Sequence, residues 1–339
     1  MRELGPLVTL PLQVMPVFFL VGGVPSRELA QAGWLVGLHL WFLPVYLLLI
    51  AVTPVMLTAQ RRWGLAVSAA MAVAAAVDAG FLGPHLPAIG FANYFLVWGS
   101  AHQWGFAWRD GSLTRDRWRP WLLAGAGLAL LAGLLAWSPF PVDMIGAGER
   151  ITNTGPPSVA LLALAAAQAG LLLAAEPTVN RFLARKRWWQ LVTWLNPKVM
   201  TVYLWHMAPV AIVAVALYPA GLMPQASIGS AHWWALRLAW FAALTLVLVP
   251  LVGAVTWAER PLHLLPAGLG RPGPWSPALL VCGLAAAMTA LTKLAISGYA
   301  PGGSLPWPVL AALAGGTLLV LMSGHPARAA GPAGTVLID

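Results

Sequence analysis

Two of the seven histidines in this chain stand where an imidazole could do chemistry. His206 lies in VYLWHMAP and His102 in GSAHQWGFAW. A neutral imidazole accepts a proton near pH 7, which suits it to act as a general base on a hydroxyl. Tyr203 precedes His206 by three residues, so on a helix the two side chains share a face. Asn93, Ser100 and Gln103 are spaced seven and three apart and line another face, and Arg109 and Asp110 follow directly. Asp143, Glu149, Arg150 and Asn153 stand in the polar segment 139–156, PFPVDMIGAGERITNTGP. These groups together could accept a proton and grip a sugar-like acceptor. His206 and His102 are the candidate catalytic residues, and Tyr203, Asn93, Gln103, Arg109, Asp143 and Asn153 the candidate binding residues. Hydrogen bonding between helices explains the Asn93–Gln103 stripe equally well. His39, in GLHLWFL, reads as an interfacial histidine satisfied by hydrogen bonds. Asp78 and Lys293 read as residues that reach back to water.

Other chemistries lack their motifs. The chain has no GxxxxGK[ST] loop, no HExxH pair, no GxSxG elbow and no CxxC pair. The single cysteine, Cys282, lies in an apolar run and offers neither an internal disulfide nor a metal cluster. No metal site and no bound cofactor is expected. The net charge of +9 does not gather into a basic domain, so nucleic acid is not an expected partner.

The elements that position these residues must sit in lipid. Hydrophobic residues make up 60% of the chain and charged residues 9%, against about 25% charged in soluble domains. A crossing helix needs about 20 mostly apolar residues. Such runs occur at 5–24, 33–57, 63–82, 86–108, 119–138, 157–175, 199–217, 234–257, 276–298 and 305–322. The expected fold is all-α, a polytopic membrane domain over 1–324 with about ten transmembrane helices and a short polar tail at 325–339. Fifteen of the 19 Lys and Arg fall on one side of this arrangement, in 61–62, 109–119, 181–198 and around Arg260, Arg271, Arg328 and Arg2. By the positive-inside rule that side is cytoplasmic and holds both termini. Trp63, Trp118, Trp121, Trp137, Trp233, Trp234, Trp257 and Trp307 fall near span ends, at the depth amphipathic rings prefer. His102 and His206 then lie about 9 and 10 Å from the cytoplasmic ends of their spans. No signal-peptide pattern is read in the Pro-rich start.

Five segments, VMPVFFLVGG, HLWFLPVYLLLIAVTPVM, NYFLVWGSAHQWGFAWRDG, MTVYLWHM and WAERPL, in this order resemble acyltransferase family 3, a group of membrane-bound O-acyltransferases, and within it the actinobacterial-type branch. The resemblance covers roughly residues 5–265. It implies transfer of an acyl group from acyl-CoA, as donor substrate, to a hydroxyl of an envelope carbohydrate, glycolipid or related acceptor in the cell membrane. The chain departs from the family in two places. The family's opening helix carries an Arg and, about ten residues later, a His, and no residue here matches that pair. Arg27 alone stands where the family has an Arg-rich loop followed by another helix, and the first segment at 5–24 is expected to invert, to lie along the surface or to be displaced from its family position. Two other readings stay open: an inactive acyltransferase-like membrane protein, and a transporter of a lipid-linked or hydrophobic solute.

Overall fold

The computed structural model describes residues 26–77, 90–144, 152–217, 221–258 apart from 223, 225 and 228, and 273–324. The span expected at 5–24, the residues Asp78, Glu149 and Arg150, and the tail at 325–339 lie outside them. In chain order the described residues form helices α1 (Ser26–Gly37), α2 (Phe42–Trp63), α3 (Ala66–Val77), α4 (Ala92–Arg109), α5 (Trp118–Trp137), α6 (Val159–Leu183), α7 (Lys186–Leu195), α8 (Val199–Trp205), α9 (Met207–Leu217), α10 (Ala231–Ala258), α11 (Ser276–Ser297) and α12 (Trp307–Met322). A 3₁₀ turn, Leu38–Trp41, joins α1 to α2. No strand occurs among the described residues.

Among the described residues, five stretches are long and apolar enough to cross a membrane: Leu29–Trp63, Trp118–Trp137, Val159–Leu183, Ala231–Ala258 and Ser276–Ser297. Ala66–Val77 and Trp307–Met322 are shorter apolar helices. The surface these helices present is unsuited to water: Leu246 is 77% exposed, and Leu238, Phe241, Val249, Trp121 and Trp137 are also exposed. Hydrocarbon is the solvent in which such a surface costs nothing. Membrane-spanning helices are thus the character of the chain. The expected run at 199–217 is not one continuous helix. It breaks at His206, between α8 and α9. Pro209 supplies the reason: it has no N–H for the Trp205 carbonyl, and its ring crowds that carbonyl.

The chain divides into two compact units, one of residues 45–190 and one of residues 1–44 with 191–339. In the first, α5 and α6 pack antiparallel at backbone distance. A Cβ on Gly170 would lie 2.3 Å from the Ala124 nitrogen, and one on Gly127 would lie 2.5 Å from the Ala167 nitrogen. Small residues permit this approach where no hydrophobic force drives helices together. Ala75, Val97 and Leu162 join α3, α4 and α6 in a small core that Trp104 covers. The Trp108 indole donates to Glu176 at 3.0 Å and so brings the C-terminal part of α6 to the C-terminus of α4. The basic segments 61–62, 109–119 and 181–187 therefore gather at one end of this unit, as the charge pattern requires.

In the second unit, α11 and α12 cross where Gly283 faces Gly316: a Cβ on Gly283 would lie 2.7 Å from the Gly316 carbonyl oxygen. Gly298, with φ +72°, turns the chain tightly against Trp34, and Tyr299 N–H donates to the Gly33 carbonyl at 3.1 Å. Tyr299 is fully buried there, and burial pushes its phenol above the ordinary value. This knot ties α1 to the end of α11 and fixes the start of the 3₁₀ turn that carries His39.

Candidate functional site

His206 occupies the break between α8 and α9. Its Nδ1 lies 2.5 Å from the main-chain carbonyl of Tyr203. A carbonyl only accepts, so Nδ1 carries a proton, and in the neutral ring the lone pair is then on Nε2. The helix break thus orients the imidazole and sets its tautomer with one bond. The Tyr203 hydroxyl donates to the main-chain carbonyl of His39 at 3.1 Å, which links α8 to the 3₁₀ turn. Phe42 backs the Tyr203 ring at a centroid distance of 5.3 Å.

The third member of this cluster is His39. Its ring centroid lies 5.1 Å from that of His206 and 5.6 Å from that of Tyr203. His39 is only 8% exposed, and neither of its ring nitrogens has a hydrogen-bond partner of normal geometry among the described residues. Leu204, from α8, presents its carbonyl nearby. The expectation of a satisfied interfacial histidine therefore gives way to a buried imidazole with unused hydrogen-bonding capacity. An unsatisfied buried polar group is costly and calls for an explanation. The sequence signal that could have found it is HLWF itself: a histidine in a short turn between apolar helices has no solvent to satisfy it.

The other predicted residues fall in the 45–190 unit. His102 is half-buried. Its ring packs edge-on to Phe106, one turn away, with centroids 4.7 Å apart, and its buried Nδ1 has no hydrogen-bond partner among the described residues. His102 and His206 belong to different compact units, and the imidazole that accompanies His206 is that of His39.

Asn93 and Gln103 are buried glue. Asn93 Nδ2 donates to the Ala75 carbonyl at 3.3 Å, and Gln103 Nε2 donates to the Met56 carbonyl at 3.2 Å. Between them Ser100 donates to the Leu96 carbonyl at 2.8 Å. The face thus holds α4 against α3 and α2, with the side-chain oxygens of Asn93 and Gln103 unpaired among the described residues.

Asn153 is equally committed. Its Nδ2 donates to the carbonyls of Pro141 at 2.8 Å and Asp143 at 3.1 Å, and its Oδ1 accepts from Ser158 at 2.6 Å. Ser158 in turn caps α6 by accepting from the Leu161 N–H. Expected as a binding residue, Asn153 uses its hydrogen bonds to organise its own loop. The Asp143 side chain is exposed on that loop.

Arg109 closes the last turn of α4. It lines a cavity of about 320 Å³ with Leu57, Gln60, Arg61, Phe106 and Asp110. Asp110 caps the helix and accepts from the Ser112 N–H at 2.8 Å and from Gln60 Nε2 at 3.2 Å. Burial would raise its carboxyl, but the Ser112 and Gln60 hydrogen bonds and the Arg115 charge outweigh burial and hold it below its ordinary value of 3.8. Among the described residues no three of His, Cys, Asp and Glu gather closely enough to hold a metal ion.

The candidate site is thus a histidine pair at a broken helix, with a separate arginine-lined cavity in the other unit. No family model, curated protein or solved structure matches the chain.

Proposed function

We propose that this protein is a multi-pass acyltransferase of the cell membrane that moves an acyl group from acyl-CoA to a hydroxyl of an envelope carbohydrate, glycolipid or related acceptor. The observation that carries the reading is the Nδ1 contact of His206 with the Tyr203 carbonyl, which leaves Nε2 as a proton acceptor. Broken helices at membrane depth occur where backbone lines a protein interior or a polar path, and a histidine at such a break is a functional candidate. The order of the family-like segments supplies the reaction class. With about ten crossings and both termini in the cytoplasm, the Val199 end of α8 faces the cytoplasm and His206 lies about 10 Å inside it, within reach of a thioester entering from that side.

The reaction needs few groups. The acceptor hydroxyl gives its proton to His206 Nε2 while its oxygen attacks the thioester carbonyl carbon. The tetrahedral species collapses, the C–S bond breaks, and the imidazolium returns the proton to the departing thiolate. An ester and free coenzyme A result, and His206 is neutral again. His39, with its ring centroid 5.1 Å from that of His206, packs against the base and holds it in place. Arg115, Arg117 and the basic segment 181–187 supply positive charge for the donor's phosphates.

The test reconstitutes the whole chain in liposomes with acetyl-CoA labelled in the acetyl carbon and a total glycolipid extract. The reading expects labelled ester and stoichiometric free thiol, both lost in His206→Ala. Accumulation of labelled glycolipid across the bilayer without thiol release would establish a transporter. Absence of both would leave a membrane protein without catalysis. Either result overturns the enzymatic reading.

A further inference from the structure

We infer that the cavity at the joined C-termini of α2 and α4 is a binding subsite for a phosphate ester. The inference does not depend on acyl transfer. Three observations carry it. First, Arg61 and Arg109 both line the cavity, and neither guanidinium makes an ion pair or a hydrogen bond among the described residues. Helix-end arginines do complement the macrodipole, but that role does not require two of them around one void. Second, Gln60, from the same wall, is 4% exposed and its Nε2 donates to the Asp110 carboxylate, so the one acid on the rim is already engaged. Third, the cavity volume of about 320 Å³ sits at the small end of ligand sites, which run from about 300 Å³ upward.

Charge and geometry set the ligand class. Asp110 contributes one negative charge to the rim, but Ser112 and Gln60 hold its carboxylate, and Arg61 and Arg109 leave the cavity net positive. Guanidinium forks match phosphate oxygens in bidentate contacts. A phosphate bound by Arg61 and Arg109 gives both guanidinium groups a partner. The depth suits such a ligand: exposed Trp63 and Trp108 flank the two helix ends, at the level where indoles meet lipid headgroups. A phospholipid headgroup and a soluble phosphate ester share this chemistry.

The experiment measures both sources on the full-length protein in neutral detergent. Phosphatidylglycerol retention is followed by native mass spectrometry, and glycerol 3-phosphate binding by calorimetry. The variants are Arg61→Ala with Arg109→Ala, the matching pair of lysine substitutions, and Arg62→Ala. Arg62 shares the helix end but packs over Trp63 and does not line the cavity. The alanine pair should weaken at least one probe by more than about tenfold, since each arginine forms charge-assisted bonds. The lysine pair should recover part of that loss, and Arg62→Ala should change it by less than about twofold. Loss confined to phosphatidylglycerol assigns a lipid headgroup, and loss with glycerol 3-phosphate assigns a soluble ester. Two results overturn the inference: neither probe binding in a manner that depends on Arg61 and Arg109, or Arg62→Ala costing as much as the pair. The lysine pair, with charge and fold kept, separates loss of a site from loss of the protein.

Discussion

The Nδ1 of His206 and the main-chain carbonyl of Tyr203 lie 2.5 Å apart, across the point where α8 ends and α9 begins. The same break frees backbone groups and places a titratable ring among them. If this ring is the base, His206→Ala should lower acyl transfer by about 10²- to 10⁴-fold, the usual worth of a positioned base. Protein yield and detergent melting should change little, because His206 is only half-buried. Product ester is read from labelled acetyl-CoA. Full activity in this variant would remove His206 from the chemistry.

His39 makes a sharper test because function and stability should move in opposite directions. Its two ring nitrogens are unpaired among the described residues and its side chain is buried. Replacing such a group by an apolar ring removes a desolvation cost of about 1 kcal/mol or more. His39→Phe should therefore match or exceed the wild type in thermal stability while losing at least tenfold in transfer rate. A variant that melts lower and keeps its activity would make His39 a structural residue.

Much of this architecture can be read directly from residue patterning, and what cannot has a physical cause. The runs at 119–138 and 276–298 appear almost residue for residue as α5 and α11, because apolar length alone decides a lipid-spanning helix. The break at His206 could be expected from Pro209 once the carbonyl it leaves unpaired is counted. The partner of His206 could not. His39 lies 167 positions earlier, and only the tertiary path of α1, pinned by Tyr299, brings the two rings together. Periodicity fixes which face a residue occupies but not what faces it. That is why Asn93 and Gln103, with the right spacing for a binding stripe, proved to be engaged between helices.

Asp110 gives a pH prediction whose sign follows from its environment. Its carboxyl is held below 3.8 in the folded chain, chiefly by the Ser112 and Gln60 hydrogen bonds acting against burial. A group with a depressed folded value contributes stability that is complete above its unfolded value and disappears as pH falls through the folded one. Asp110→Asn should therefore lower the melting temperature relative to wild type above about pH 4, with the two curves converging in stronger acid. The site is open to solvent, so the difference should stay within about 1 kcal/mol. Thermal melts across pH 2 to 7 decide it. A gap that widens toward acid would reverse the assignment.

Asn153 should behave as a loop organiser and not as a substrate contact. Its three hydrogen bonds to Pro141, Asp143 and Ser158 lie within one segment, and Asn153 is 1% exposed. Asn153→Ala removes these bonds, leaves the buried Ser158 hydroxyl without its acceptor and should cost about 1–3 kcal/mol. KM for the acceptor should be unchanged in the folded fraction. A raised KM with unchanged melting would return Asn153 to the binding residues.

Gly170 and Gly125 offer paired substitutions on α6 and α5 with opposite expected signs. At Gly170 an added Cβ would lie 2.3 Å from the Ala124 nitrogen and 2.6 Å from the Pro120 carbonyl oxygen. Both are backbone atoms, which cannot swing aside as a side chain would, so the helices must separate. Gly170→Ala should destabilise by about 1–3 kcal/mol, the usual cost of overpacking. At Gly125 nothing lies within 4 Å of the added atom. Gly125→Ala should be neutral or stabilise by up to about 1 kcal/mol through reduced backbone entropy. Denaturation of both variants in the same detergent tests whether α5 and α6 touch along the Gly170 line. If Gly170→Ala melts like wild type, the helices do not meet there. A loss at Gly125→Ala as large as that at Gly170→Ala would instead place a second contact on the opposite face of α5.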